Sequence, residues 1–382
     1  MKTYCFGRHL VDMPREAQMI GGQNEYLGTQ INAEKMTREA FAQLVENGIA
    51  KRKQVEDLYA YDKEIAIGDN GVIVLGFRDA SRGRAHSIDT FKFDKGWGFV
   101  TSSDPYRSEK MDSLTEKFTR YVKAVRYRPE YDIPKVPGVC LVNGFIANGE
   151  NTKIYETAAL QFNLKDNPDV VIRIESERSY RKWPSLLEKL KESGILKKYA
   201  NKIKNVRSGK REVNGMHGEE FLLAFPSDDQ TGTAQDFTWE TQGELDNPDK
   251  PTIQLSITTG EGVFGVTAAS SIETAKLVKI FDAIVGSIRL RPTEEPAPPP
   301  PQSKAPPTLG SGDACPRTGL WRCLETGEKR RLAEGQPMPE ARYTKVARGW
   351  LNRLRGVREV FSHAGPGHWK WAGETPPVAS LE

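Results

Sequence analysis

The sequence predicts an α+β fold: two tandem, internally duplicated domains of antiparallel sheet plus two helices each, followed by a small, mostly β C-terminal module. Three observations lead there. A chain of 382 residues suits two domains of ordinary size and something smaller. Landmark segments recur in the same order in the two halves. Strand-like runs follow one another across turn signals while helical runs are set apart, the pattern of helices segregated on an antiparallel sheet.

The landmarks come first. Leu44-Val45-Glu46-Asn47-Gly48-Ile49-Ala50-Lys51 is echoed by Leu190-Lys191-Glu192-Ser193-Gly194-Ile195-Leu196-Lys197, each reading as a helix end closed by a left-handed glycine. Ala124-Val125-Arg126-Tyr127-Arg128-Pro129 is echoed by Ser287-Ile288-Arg289-Leu290-Arg291-Pro292, each closing its half after a helix. Cys5 and Cys140 fall in the first strands of their halves.

The elements agree. In the first half, residues 4–11 alternate as a strand. Residues 36–55 carry Phe41, Leu44 and Val45 at helical spacing, with Thr37 as cap. Residues 71–77, entered through Asp69-Asn70-Gly71, read as a strand, as do 87–93 and 98–101. Residues 113–125 are amphipathic, with Leu114, Phe118, Tyr121, Val122 and Val125 on one face. In the second half, 158–164 and 170–175 pair around Lys165-Asp166-Asn167-Pro168. Residues 184–200 and 272–285 are helical, and 219–225, 237–241 and 252–258 are strands. The expected boundaries are 1–135, 136–292, a proline-rich linker at 293–312 that favours extended backbone, and a basic module at 313–380. Leu381-Glu382 reads as a cloning remnant, so an export signal is expected to have been removed.

Composition narrows the function. With 37% hydrophobic and 28% charged residues the chain can bury real cores. The net charge is only +4, and residues 313–380 carry a surplus of 5 cations, so the main domains are near neutral. That argues against a nucleic-acid partner, which calls for a basic stripe on the main domains. The four cysteines, Cys5, Cys140, Cys315 and Cys323, fit two disulfides in an oxidising compartment or four buried thiols.

No motif carries an enzyme or a cofactor. Gly260-Glu261-Gly262-Val263-Phe264-Gly265 spells a dinucleotide fingerprint, but it lies between strand-like runs, where a hairpin turn is the better reading. There is no Gly-x-Ser-x-Gly elbow and no His-Glu-x-x-His helix. Cys315, Cys323, His363 and His368 are zinc-ligand types, yet seven residues between the cysteines do not suit a knuckle, and a Cys315–Cys323 disulfide is simpler. Of Trp321, Trp350, Trp369 and Trp371, three read as the core of a small barrel-like module, with Arg330, Arg331, Arg353 and Arg355 as solvated charge; the alternative is that these interleaved aromatics and arginines bind RNA or make a weak contact with an anionic membrane surface. His217 reads as a turn residue.

Binding residues are sought where aromatics and arginines fall outside periodic segments, since such side chains dominate interfaces. Arg178, Tyr180, Arg181 and Trp183 lie in one such run, with Trp97, Tyr106 and Arg107 as counterparts in the first half. The alternative is that each tryptophan folds back on its own domain.

Cys5-Phe6-Gly7-Arg8-His9-Leu10-Val11-Asp12-Met13-Pro14 and Pro137-Gly138-Val139-Cys140-Leu141-Val142-Asn143-Gly144-Phe145-Ile146 resemble the strand signatures of the class-four cognate immunity proteins of bacterial type VI secretion lipase effectors. The resemblance spans about 4–292. It implies a periplasmic protein, monomeric before binding, whose two domains grip a phospholipase at its lid, with no catalytic residues and no cofactor. The tail resembles small Cys-Pro-x-Thr-Gly-x-Trp modules of other secretion-associated chains. Two other readings compete: an envelope-binding protein docking through the tail, and a hydrolase with paired carboxylates or a Ser-His pair in a deep pocket. The equivalent positions of Cys5 and Cys140 further predict a bond between them.

Overall fold

The computed structural model describes residues 1–54, 58–81, 83–148, 154–178, 180–193, 202–228, 230–260, 268–294, 308–346 and 360–373. It forms two compact units, Met1–Pro296 and Ala297–Glu382. The larger begins β1 (Lys2–Phe6), β2 (His9–Met13), β3 (Ala17–Tyr26), β4 (Thr29–Gln30), β5 (Asn32–Lys35), α1 (Arg38–Lys53), β6 (Ala60–Ala66), β7 (Gly71–Ala80), β8 (Gly83–Asp94), β9 (Trp97–Arg107), α2 (Met111–Ala124) and β10 (Val125–Tyr127). It continues β11 (Gly138–Leu141), β12 (Gly144–Ala147), β13 (Glu156–Leu164), β14 (Asn167–Glu177), α3 (Leu186–Ser193), β15 (Lys204–Val213), β16 (Met216–Pro226), β17 (Thr233–Thr241), β18 (Thr252–Thr258), α4 (Thr274–Ser287) and β19 (Arg289–Leu290). The fold is α+β, with antiparallel pairing throughout the described strands.

Local physics explains most of these elements. Thr37 caps α1, its hydroxyl accepting from the Ala40 amide at 3.2 Å. Strand β7 is apolar at successive positions because both faces are covered: Ile73 and Leu75 face α2, while Val74 faces the cluster of Phe41 and Phe91. Two expectations fail. Residues 4–11 form two strands, because Gly7 at φ 51° turns β1 back onto β2 and pairs Phe6 with His9. Gly48 does not end α1. The helix runs on to Lys53 because Arg52 is buried and anchors the last turn to β8, donating to Ser87 Oγ at 2.9 Å and pairing with Asp89 at 2.5 Å. Its counterpart Gly194 and the expected turn at 261–265 lie outside the described residues.

The halves do not keep their strands to themselves. A five-stranded sheet, order β5-β9-β8-β7-β6, is built wholly from the first half. Strands β3 and β4 instead extend the sheet of the second half, order β15-β16-β17-β18-β14-β13-β3-β4. Gly22 permits this: a Cβ there would run into the Ala159 carbonyl of β13 and the Val142 side chain.

The opening hairpins are exchanged as well. Hairpin β1–β2 pairs with β19, and its Tyr4, Phe6, Val11 and Met13 pack with Phe237, Trp239, Leu255, Leu277 and Phe281 of the second lobe. Hairpin β11–β12 pairs with β10, and its Val139, Leu141 and Ile146 pack with Phe99, Phe118 and Val122 of the first lobe. Between the exchanged hairpins, Gly7 and Cys140 trade two backbone hydrogen bonds of 2.9 and 2.7 Å. Cys5 and Cys140 are bonded, as their equivalent positions predict.

Two buried arginines fasten this junction. Arg128 donates to the carbonyls of Gly144, Leu141, Cys5, Asp132, Pro129 and Glu130. Arg291 donates to those of Pro134, Val136 and Gly138. They occupy corresponding places in the echoed segments, and a guanidinium's fan of donors suits a knot of backbone oxygens. Burial holds both below the usual arginine range, at about 10.

The smaller unit contains β20 (Leu309–Gly310), β21 (Gly319–Cys323), β22 (Lys329–Leu332), β23 (Ala341–Val346), β24 (Val360–Gly365) and β25 (His368–Gly373). Its sheets are β20-β25-β21-β22 and β23-β24. Trp321 and Trp369 are fully buried, with Trp371 against Trp321. Strand β20 starts inside the segment expected to be linker, because Leu309 pairs with Trp369. The expected Cys315–Cys323 disulfide is not formed. Both are buried thiols, each with its own oxygen partner: the Arg317 carbonyl at 3.0 Å for Cys315 and Glu325 Oε2 at 3.2 Å for Cys323. Among the described residues no three His, Cys, Asp or Glu assemble as metal ligands, and His368 Nδ1 bonds Glu325 at 2.6 Å. Trp350, Arg353, Arg355 and 381–382 lie outside the described residues, as does the side chain of His363.

Two outcomes follow. The bond closes a separation of 135 residues, so Cys5→Ser or Cys140→Ser should lower stability by roughly 2–5 kcal/mol in urea titrations. Burial first, then Arg8 and Arg291, push the His9 pKa down to about 4. The unfolded chain takes up that proton near pH 6.5 and the folded chain near 4, so this contribution is complete above about 6.5 and is lost as pH falls towards 4. The loss should approach roughly 3 kcal/mol, and His9→Gln should flatten that part of the stability–pH curve.

Candidate interaction surface

The second lobe presents ordered aromatic side chains where β14 leaves the sheet. Arg178, just beyond Glu177, is only 1% exposed. Its guanidinium donates to the carbonyls of Ile154 at 3.4 Å and Asp246 at 3.1 Å, tying this turn to loop 242–250. Arg178 is therefore an internal clamp rather than a contact residue. Next along the chain, Tyr180 stacks on Tyr155 at 5.9 Å and burial pushes its hydroxyl up to about 12, so it is a hydrogen-bond donor at neutral pH. The Arg181 guanidinium lies over the Trp183 ring at 3.5 Å. Trp183 is 49% exposed, and its carbonyl accepts from Gln242 at 3.2 Å.

Loop 242–250 adds Leu245, a large exposed apolar side chain next to the clamped Asp246. Its turn is held internally: Glu244 accepts from Lys250 at 2.5 Å and Asn247 at 3.0 Å, and the Lys250 bond foremost keeps its carboxyl below the usual range. The aromatic patch and this loop are thus ordered before any ligand arrives, which reduces the entropy lost on binding.

Beside them opens a cleft of about 600 Å³ lined by Leu186, Lys210, Glu212, His217, Glu219, Glu240 and Gln242, among others. Its carboxylates are engaged. Glu219 accepts from the Leu187 amide at 2.9 Å, Glu240 pairs with Lys189 at 2.7 Å, and Glu212 meets the exposed His217 at 3.1 Å. On the same strands, Arg207 and Arg211 share Glu220 and Asp282, and the Arg207 bond foremost depresses the Asp282 carboxyl. A second cleft of about 270 Å³ lies at the junction, lined by Arg8, Gly138, Asn148, Asn247, Asp249 and Arg291. Arg8 there pairs with buried Glu156 at 2.7 Å. These are compensated pairs, suited to holding polar groups.

The counterparts in the first half behave differently. Trp97 stacks on Tyr127 at 5.4 Å and packs on the first lobe's core. Tyr106 also packs on that core, its hydroxyl bonded to Ser103. Arg107 is exposed beside Glu109. Trp97 and Tyr106 stand at opposite ends of β9, about 30 Å apart along an extended strand, so they form no common patch. His86 Nε2 does meet Ser108 Oγ at 2.9 Å. A nucleophile–base pair needs a third group to orient the base, but His86 Nδ1 is buried with no partner among the described residues, and neither residue lines the clefts above. Sequence reasoning missed Tyr155, Gln242 and Leu245. The Asn247-Pro248-Asp249 turn signal could have located loop 242–250, but nothing in the sequence marks Leu245 as exposed.

Two interlocked lobes thus carry an exposed aromatic surface and clefts whose charged groups are largely paired. No curated protein matches the chain. Family models do: the Tle cognate immunity protein 4 N-terminal domain over 2–134 and the corresponding C-terminal domain over 132–293. The chain belongs to the Tle cognate immunity protein 4 family. The same fold appears in the apo immunity protein TplEi of T6SS from Pseudomonas aeruginosa (TM-score 0.66, 22% identity, covering 77% of this chain and 98% of that one). It appears again in TplEi complexed with "L" peptide (0.62, 22%, 76% and 98%) and in the Tle4–Tli4 complex (0.67, 21%, 77% and 98%).

Arg178→Met should strand the Ile154 and Asp246 carbonyls and cost roughly 2–4 kcal/mol. Chemical denaturation measures that loss, and faster amide exchange should appear first in loop 242–250.

Proposed function

We propose that the chain binds a T6SS lipase effector and holds it inactive, its two lobes gripping the lid so that the active site cannot open onto a membrane. The observation that carries this reading is the family match across both lobes, in a chain whose lobes exchange hairpins and share a disulfide. Jaws joined in this way keep a fixed spacing. An inhibitor that favours a closed lipase shifts the population towards that state. Once one jaw has bound, the other acts at high effective concentration. The Tyr180, Arg181, Trp183 and Leu245 surface is assigned to one jaw, and Arg107 marks the first lobe's exposed candidate.

The same reading makes the chain a binder and not an enzyme, without a cofactor, and monomeric before it meets its partner. It places the chain in the periplasm, where the Cys5–Cys140 bond is compatible with oxidising conditions. The halves at 1–135 and 136–292 are copies of one unit, a reading supported by the matched places of β10 and β19, of hairpins β1–β2 and β11–β12, and of Arg128 and Arg291. The tail touches anionic membrane weakly.

Mixing purified chain with its lipase should give a one-to-one complex by calorimetry and abolish hydrolysis of phospholipid micelles. Full lipase activity at saturating chain would sink the proposal. Trp183→Ala should weaken the complex by roughly 30-fold or more without moving the unfolding midpoint, whereas Trp97→Ala should lower stability.

A further inference from the structure

The sheet of the smaller unit carries an arrangement that packing does not explain. Arg322 of β21 stands directly opposite Lys329 of β22 and Lys370 of β25. Paired residues of antiparallel strands share a face with Cβ atoms about 5 Å apart, so three cations form a row across three strands. Arg331, opposite Leu320, lies on the same face. All four are exposed, and none pairs with a carboxylate among the described residues. Glu328 is engaged by Arg330, and Glu325 by His368. Like charges set directly opposite each other destabilise a sheet, a cost that an anionic partner would remove.

The shape of the face selects the partner. A single-stranded nucleic acid would need exposed rings for its bases, but among the described residues of this sheet Trp321 and Trp369 are fully buried on the opposite face and Trp371 packs against them there. What the cationic side adds is Leu324, 53% exposed and one residue beyond β21. A broad cationic sheet with an apolar side chain at its margin fits the headgroup layer of an anionic bilayer. We infer that Arg322, Lys329, Arg331 and Lys370 form a membrane-docking face for anionic phospholipid. This deepens the tail contact proposed above and identifies which residues make it. It is independent of effector binding.

The test is co-sedimentation of the full chain with phosphatidylcholine vesicles, with and without phosphatidylglycerol. Binding should require phosphatidylglycerol and fall steeply with added salt. Arg322→Glu with Lys370→Glu should reduce it at least about tenfold, and the milder pair Arg322→Gln with Lys370→Gln should act in the same direction. Unchanged emission from Trp321 and Trp369 checks the fold of both variants, and unchanged lipase inhibition separates this face from the effector surface. Equal binding to neutral vesicles, undiminished binding by both folded variants, or tighter capture of single-stranded DNA than of vesicles overturns the inference.

Discussion

The junction of exchanged hairpins is the constraint on which the larger unit rests. Neither core closes without residues from the other half: Tyr4, Phe6 and Val11 complete one, Val139, Leu141 and Ile146 the other. Exchange leaves many backbone carbonyls turned inward where chain segments cross, and buried carbonyls must be satisfied. Arg128 and Arg291 perform that task with charged groups that are themselves costly to bury. Such an arrangement is stable only when the donors are well matched to acceptors. The Cys5–Cys140 bond then limits how far the crossing can open in the unfolded chain.

Joining the lobes has a consequence for recognition. A protein that binds through two separate surfaces loses avidity if those surfaces drift apart. Here the spacing is set by shared sheets and shared cores rather than by a linker. The exposed loops can then be short and still precise in position. Arg178 shows how that order is obtained: a buried side chain that donates to the Ile154 and Asp246 carbonyls and lies over the Tyr180 ring ties the turn to loop 242–250. Burial of such a residue is a sign of support for its neighbours.

The smaller unit solves a different problem with different means. It has few residues from which to make a core, and three tryptophans supply much of it, helped by two buried thiols. With Trp321, Trp369 and Trp371 turned inward, the described outer face of the sheet is dominated by cations. The charge surplus noted in the sequence is thus partly concentrated on one face of one sheet rather than spread over the surface.

Much of this was legible in the sequence because it depends on local chemistry. The α+β class, the helices near 38–53 and 111–124, the Thr37 cap and the long paired strands follow from periodicity and turn residues, which act within a few positions. The Cys5–Cys140 pairing followed from matched places in the two halves, whereas the Cys315–Cys323 bond expected from their spacing is not formed. Other features arise from contacts between distant segments, which no local pattern records. Polar β3, with Gln18, Gln23 and Asn24, is a strand because β13 offers it an edge along its whole length. Gly48 fails to stop α1 because Arg52 finds Asp89, and Arg178 reads like an interface arginine until two distant carbonyls bury it. Local chemistry thus set which segments form helices and strands and which cysteines correspond in the two halves. Which half each hairpin serves and which aromatics face solvent depend on folding as a whole, because burial and pairing rest on neighbours that lie well beyond the few positions a local pattern covers.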